Sequence, residues 1–112
     1  MRARCQLGRN LLRVAYATGC QNVKDFTDWC GISYPAFRGW VGGTTAPSGL
    51  AWVAQVKRER GITWAEAMAM SRIYYGNAEP SGLMALRTIR RRTGAEWDDL
   101  LSGVYETPQE PE

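Results

Sequence analysis

The stretch that decides the fold runs VKDFTDWCGISYPAFRGWVG over residues 23–42. Its inward-facing apolar residues are Phe26, Cys30, Phe37 and Trp40. The first two are four residues apart and the last two are three apart, so each pair lies on one face of a helix. Gly31 stands between the pairs and accepts the positive φ of a sharp turn. The stretch therefore predicts a helix-turn-helix, with helices over about 23–30 and 34–41.

The rest of the chain is also predicted to be helical. Apolar residues recur at helical spacing between breaks that contain glycine or proline, and no segment alternates beside a hairpin turn. The further predicted helices cover about 3–17, 48–60, 63–75, 81–93 and 95–102. The sequence thus predicts an all-α protein, with one compact helical bundle over residues 1–104 and a flexible acidic tail over residues 105–112.

An internal repeat links two parts of this bundle. Pro47-Ser48-Gly49-Leu50 recurs as Pro80-Ser81-Gly82-Leu83, and then Arg58, Gly61 and Trp64 are matched by Arg91, Gly94 and Trp97. The repeat predicts a duplicated C-terminal helical half. The single domain over residues 1–104 would then consist of a helix-turn-helix core over about 7–68 and a repeat-derived extension over about 69–104. Three roles are open for this extension: a degenerate second reader, a dimer interface or a stabilising addition.

Charge and residue usage narrow the classes of function. The net charge of +3 is carried mainly by arginine, which weakly favours an anionic partner. Three cysteines without a C-x-x-C spacing, in a chain without histidine, supply neither a zinc site nor a disulfide framework. We therefore expect no metal, no cofactor and a reducing cytoplasm. No apolar run is long enough to predict a membrane span.

The residues around the predicted turn resemble a known superfamily. The matching residues are Lys24-Asp25-Phe26, Gly31-Ile32-Ser33, Trp40, Pro47 and Gly61-Ile62-Thr63-Trp64. Residues 94–103 also look like the end of such domains. Together they resemble the lambda-repressor-like superfamily, and particularly the N-terminal domains of phage CI-type repressors. The resemblance implies a non-enzymatic transcriptional regulator of phage or mobile-element type, which binds double-stranded DNA as a homodimer in the cytoplasm of a bacterial host cell.

The resemblance also implies which residues read DNA bases. The second helix of the motif would enter the major groove, and its outward-facing residues are Ser33, Tyr34, Pro35, Arg38, Gly39 and Gly42. Pro35 and Gly39 depart from the family pattern because neither has a side-chain donor. Readout therefore falls to Tyr34 and Arg38, and Arg38 is interpreted either as a contact to a guanine edge or as a phosphate clamp.

Phosphate contacts are expected from residues around that helix. Lys24, Ser33 and Thr44 or Thr45 can bind phosphate through side chains or backbone N–H groups. Arg90 and Arg91 lie on a later predicted helix together with Arg87 and Arg92. This arginine cluster is interpreted either as an exposed, solvated face or as an extension of the DNA footprint.

Two other classes of function compete with the regulator. A protein-interaction module, such as a phage inhibitor of a host machine, is favoured by the donor-poor surface of Tyr34, Pro35 and Gly39. An enzyme is disfavoured because histidine is absent. The adjacent carboxylates of Asp98 and Asp99 would also diverge by about 100° on a helix instead of converging on a substrate.

Overall fold

Seven α-helices make up the computed structural model, which describes residues 1–106. They are α1 (Gln6–Ala17), α2 (Val23–Cys30), α3 (Tyr34–Gly42), α4 (Leu50–Arg60), α5 (Trp64–Tyr75), α6 (Ser81–Thr93) and α7 (Trp97–Leu101). A short 3₁₀ turn, Gly76–Ala78, separates α5 from α6. No strand occurs within residues 1–106. The all-α prediction is confirmed.

One hydrophobic core serves both halves of the described chain. Its largest fully buried side chains include Leu11, Phe26, Phe37, Leu50, Trp64, Leu83, Ile89 and Leu100. These residues come from all seven helices, and α1 packs against both α3 and α7. The predicted extension therefore completes the same core as the helix-turn-helix.

Asn10 ties the first helix to the last. Its fully buried side chain donates from Nδ2 to the carbonyl oxygens of Leu100 at 3.1 Å and Ser102 at 2.9 Å. Its Oδ1 accepts from Gln6 Nε2 at 2.9 Å and from Arg13 Nη2 at 3.0 Å. A buried amide whose donors and acceptor are satisfied fixes the position of α7 against α1.

The start of α1 differs from the prediction. Residues 3–5 were expected to be helical, but Cys5 has an extended backbone, and its Sγ caps the helix by accepting from the Gly8 N–H at 3.4 Å. The Arg4 N–H donates to the carbonyl oxygen of Val41 at 3.0 Å. The first residues are thus held by the end of α3, a partner that local sequence does not show.

The second halves of the two repeated segments share a conformation. Both α4 and α6 end at a glycine, and the next helix begins with a buried tryptophan, Trp64 or Trp97. Lys57 Nζ lies 5.4 Å from the Trp64 ring centroid, and Arg90 Cζ lies 5.5 Å from that of Trp97. These cation–π pairs occupy equivalent places in the repeat.

The first halves of the repeated segments differ, and they contact each other. Ser48 and Gly49 lie in the turn before α4, whereas Ser81 and Gly82 form the first turn of α6. The Gly82 N–H donates to Ser48 Oγ at 2.8 Å, and a Cβ at Gly82 would overlap the backbone of Pro47 and Ser48. The duplication itself stays a prediction from the sequence.

The predicted tail begins inside the described part of the chain. Tyr105 and Glu106 follow α7 as turn residues, and Glu106 Oε2 lies 2.8 Å from Lys57 Nζ. Residues 107–112 lie outside the described residues, so the rest of the predicted tail is not placed. Among the helices of residues 1–106, none is long and apolar enough to cross a membrane.

Candidate nucleic-acid interface

The helices α2 and α3 meet at the turn that the sequence predicts. Gly31 has φ 75° and ends α2, and Ser33 Oγ accepts from the Ala36 N–H at 3.1 Å at the start of α3. The rings of Phe26 and Phe37 lie 5.6 Å apart in the core beneath. Asn22, which the sequence analysis did not single out, caps α2 through the Asp25 N–H. The inward face of the motif is therefore complete.

The first turns of α3 point outward, as predicted. Ser33, Pro35 and Arg38 are exposed, and Tyr34 is half-buried against the core. Pro35 stands near the start of the helix, where its missing N–H costs no helical hydrogen bond. Arg38 Cζ lies 6.0 Å from the centroid of the Tyr34 ring, one helical turn away. The structure thus brings the two predicted base-reading side chains together.

Two arginines that the sequence analysis missed lie beside these readers. Arg2 and Arg4 line a depression of about 840 Å³ together with Tyr34, Pro35 and Arg38. The lining of this depression contains three arginines and no carboxylate. We call it the arginine depression. The only sequence signal was a pair of arginines two residues apart, ahead of the first apolar stripe.

Contacts with the end of α3 hold this N-terminal segment in place. Besides the bond from the Arg4 N–H to Val41, Cys5 Sγ donates to the carbonyl oxygen of Trp40 at 3.3 Å. Gly8 lies so close to α3 that a Cβ there would overlap the Val41 carbonyl oxygen. The segment carrying Arg2 and Arg4 is therefore oriented by the same helix that carries Arg38.

Gly39 lines the arginine depression and also holds the loop that follows α3. Its carbonyl oxygen accepts from the N–H groups of Thr44 at 3.0 Å and Thr45 at 3.3 Å, and Thr44 Oγ1 lies 3.4 Å away. A Cβ at Gly39 would overlap Thr45 Oγ1. The loop after α3 therefore passes directly over this residue.

This loop geometry corrects one prediction about phosphate binding. The backbone N–H groups of Thr44 and Thr45 are already bonded to Gly39, so they are not available for a phosphate. Both side chains are exposed, and Thr44 lines the arginine depression. Only the hydroxyl groups of this loop can serve the predicted contact.

Lys24 lies on the exposed side of α2. Its Nζ is 2.9 Å from Asp28 Oδ1, and both side chains are more than half exposed. An exposed pair of this kind contributes little to stability, so a phosphate can compete for the lysine. Lys24 is not among the residues that line the arginine depression.

The arginines of α6 do not form one face. Arg87 is half-buried and pairs with Glu79, and Arg90 lies over the Trp97 ring. Arg92 donates to the carbonyl oxygen of Trp29 at 2.9 Å and lies 4.5 Å from that ring's centroid. Arg91 is exposed and lies 3.5 Å from Thr88 Oγ1. Arg91 and Arg92 are exposed and the Arg90 side chain is 41% exposed, so only Arg87 is removed from the predicted exposed cluster.

The acidic and thiol groups have structural partners as well. Glu66 and Asp99 close capping boxes at the starts of α5 and α7. Burial raises the pKa of the Cys30 thiol to about 11, so this residue remains a protonated core side chain near neutral pH. Within residues 1–106, no group of three cysteine or carboxylate side chains is arranged to hold a metal ion.

Comparison of the chain with protein-family models, with curated proteins and with solved structures finds no match. The fold and the site define an all-α domain whose helix-turn-helix presents an arginine-lined surface.

Proposed function

We propose that this protein is a small DNA-binding transcriptional regulator of the phage or mobile-element type, acting through the α2–α3 helix-turn-helix. The observation that carries the proposal is the arginine depression. Arg2, Arg4 and Arg38 surround the exposed start of α3, and no acidic residue lines the surface. A concave, acid-free arginine surface beside an outward-facing helix is complementary to the phosphate backbone that borders a DNA groove.

The arrangement suggests a division of labour among these residues. With the start of α3 in the major groove, Arg38 can donate two parallel hydrogen bonds to a guanine edge, while Tyr34 supports its guanidinium from one turn away. Arg2 and Arg4 lie beside the helix, where the phosphates that border the groove would pass. Ser33, Lys24 and the Thr44 hydroxyl would add neutral and charged phosphate contacts.

Regulation would follow from occupancy of the DNA, without chemistry on it. A protein bound at an operator blocks or recruits other proteins at the promoter, in the cytoplasm of a bacterial host cell. Because Pro35 and Gly39 supply no side-chain donors, direct readout depends on few residues. One good bidentate contact contributes about 1–3 kcal/mol of discrimination. We therefore propose that phosphate contacts dominate the affinity and that the protein discriminates only weakly among DNA sequences.

A salt titration tests the proposal. Fluorescence anisotropy with a labelled random duplex should show the logarithm of affinity falling linearly with the logarithm of salt concentration. Changing both Arg2 and Arg4 to alanine should reduce the magnitude of that slope by about 2, since each phosphate contact contributes about 0.9. Arg58→Ala is the matched control, because Arg58 is exposed on α4 away from the depression. Absence of binding at low salt would refute the proposal.

Arg38→Ala separates the two roles open for Arg38. If it reads a base, affinities for different sequences should converge in the variant. If it clamps a phosphate, all sequences should lose affinity by a similar factor and the salt slope should fall by about 1. A variant that binds every sequence as the unmodified chain does would remove Arg38 from the interface.

A second candidate function is favoured by a groove between α3 and α6. This groove of about 750 Å³ is lined mainly by small and apolar residues, among them Ile32, Pro35, Ala36, Met84 and Ala85. Such a surface fits a segment of a host protein better than a phosphate backbone. Under this hypothesis, Met84→Glu should abolish binding of the protein partner while leaving affinity for random DNA close to that of the unmodified chain.

A further inference from the structure

The hairpin of α4 and α5 carries an apolar surface on its outer side. A cavity of about 390 Å³ there is lined by Trp52, Val56, Arg60, Met70, Ile73 and Tyr74, which we call the α4–α5 patch. Ile73 is 82% exposed and Tyr74 is 70% exposed. Isolated apolar residues are common on protein surfaces, but a contiguous group around a cavity marks an interaction site.

The aromatic residues of the patch are held in a defined arrangement. Trp52 stacks on Tyr74 with ring centroids 5.1 Å apart and an interplanar angle of 27°. Tyr75 meets the Trp52 ring edge-on at 5.5 Å. These contacts order the rings before any partner binds, so docking onto them costs little side-chain entropy. Exposed aromatic residues of this kind are typical of interface hot spots.

Arg60 is the only ionisable side chain other than a tyrosine that lines the patch. It is exposed, and among residues 1–106 no carboxylate forms an ion pair with it. Elsewhere in this fold, cations such as Lys57, Arg90 and Arg92 lie over tryptophan rings. A partner suited to the patch would supply an aromatic surface to Arg60 and a cation to Trp52.

The spacing along α4 allows the same patch on a second copy of the chain to supply both the aromatic surface and the cation. Trp52 and Arg60 stand four residues before and four residues after Val56, so all three share one helix face. When two copies of α4 pack antiparallel about Val56, Trp52 of each copy faces Arg60 of the other. A two-fold axis requires this kind of self-complementary pattern.

We propose that the α4–α5 patch is a two-fold interface with a second copy of this chain, in which each Arg60 lies on the Trp52–Tyr74 pair of the other copy. Val56 meets its own counterpart at the axis. Met70 and Ile73 from α5 complete the apolar contact, with the flexible methionine adjusting to the facing surface. The interface uses none of the residues that line the arginine depression, so both copies would keep that surface uncovered.

Sedimentation velocity of the full chain across a hundredfold concentration range tests the inference. The unmodified chain should show a reversible monomer–dimer equilibrium. Ile73→Glu should raise the dissociation constant by about tenfold or more, as expected for a charge placed in an interface centre. Met84→Glu is the matched control, because Met84 is an exposed apolar residue of α6 outside the patch. Circular dichroism and thermal unfolding establish that both variants remain folded.

Two further variants test the cation and the axis. Arg60→Glu should weaken the dimer by a similar factor, whereas Arg58→Glu, on the same helix but outside the patch lining, should not. Under mild oxidation Val56→Cys should form a disulfide-linked dimer, and Gln55→Cys and the unmodified chain, with its three native cysteines, should form far less. A chain that stays monomeric at every concentration overturns the inference, as does a dimer that Ile73→Glu leaves unchanged.

The inference and the proposed function fail separately. A dimer that requires Ile73 but binds no random duplex DNA refutes the proposed function alone. A chain that binds DNA with the predicted salt slope but remains monomeric refutes the two-fold interface alone.

Discussion

Glu79 and Arg87 form a largely buried, bidentate ion pair that joins the segment between α5 and α6 to α6. Arg87 Nε lies 2.7 Å from Glu79 Oε1, and Arg87 Nη2 lies 2.7 Å from Oε2. The Glu79 side chain is 1% exposed, and Ser71 Oγ donates to it at 2.8 Å. Arg87 Nη2 also donates to the carbonyl oxygen of Met68 at 2.6 Å. The pair therefore holds α5, the segment after it and α6 together.

The pair predicts a pH-dependent loss of stability. Burial alone would raise the pKa of the Glu79 carboxyl, but hydrogen bonds from Arg87 and Ser71 outweigh burial and hold the pKa below its ordinary value of 4.5. A carboxyl whose pKa is lowered by folding stabilises the fold above the ordinary pKa. That contribution is lost as the pH falls below 4.5 toward the folded-state pKa.

Urea unfolding of Glu79→Gln measures this effect. At pH 7 the variant should lose about 3 kcal/mol of unfolding free energy, because Arg87 is left with no buried counter-charge. The difference from the unmodified chain should shrink as the pH falls below 4.5. Glu59→Gln is the control, since Glu59 is exposed on α4 and should change little at either pH. A pH-independent difference would contradict the ion-pair account.

Gly39 and Gly42 make a matched pair on α3. Gly39→Ala should be less favourable than Gly42→Ala by about 1 kcal/mol or less, because the new methyl group meets Thr45 Oγ1, an exposed side-chain atom that must rotate away. Gly42→Ala should be neutral or stabilising by up to about 1 kcal/mol, since its Cβ meets open space. Thermal unfolding gives both values. Equal effects at the two positions would show that the loop does not constrain Gly39.

Gly82 is predicted to be irreplaceable at the contact between the repeated segments. Gly82→Ala would drive a methyl group into the backbone of Pro47 and Ser48, which cannot move aside like a flexible side chain. We expect a loss of about 2–3 kcal/mol in chemical unfolding. Ser81→Ala, at the adjacent exposed position, should cost much less. If the two variants unfold alike, α6 does not approach this turn as closely as described.

The three thiols are predicted to react in a fixed order. Burial raises the pKa of Cys30 to about 11, so at pH 8 its thiolate is scarce and covered. Cys5 and Cys20 are half-buried. Alkylation followed by peptide mass spectrometry should therefore label Cys5 and Cys20 first, and Cys30 only with global unfolding. Labelling of Cys30 at the rate of Cys20 would contradict its place in the core.

The sequence by itself determined the helices and the motif. Helix ends carry local signals, such as Gly31 after α2 and Ser33 before α3, and these work within a few residues of chain. Apolar spacing identified the inward residues Phe26, Cys30, Phe37 and Trp40, all of which are buried. The class of function rests on the resemblance and on charge, and it stays a prediction.

Only the tertiary structure decided what the outward residues do. The segment of Arg2 and Arg4 lies beside the α3 surface because the Arg4 N–H bonds to Val41, and the loop after α3 returns over Gly39. The sequence placed Arg87 in one cluster with Arg90 and Arg91, but in the structure Arg87 pairs with the buried Glu79, eight residues away. Each outcome depends on which distant atoms meet. Local spacing encodes the face of a helix, but the partner of that face is set by how the helices pack.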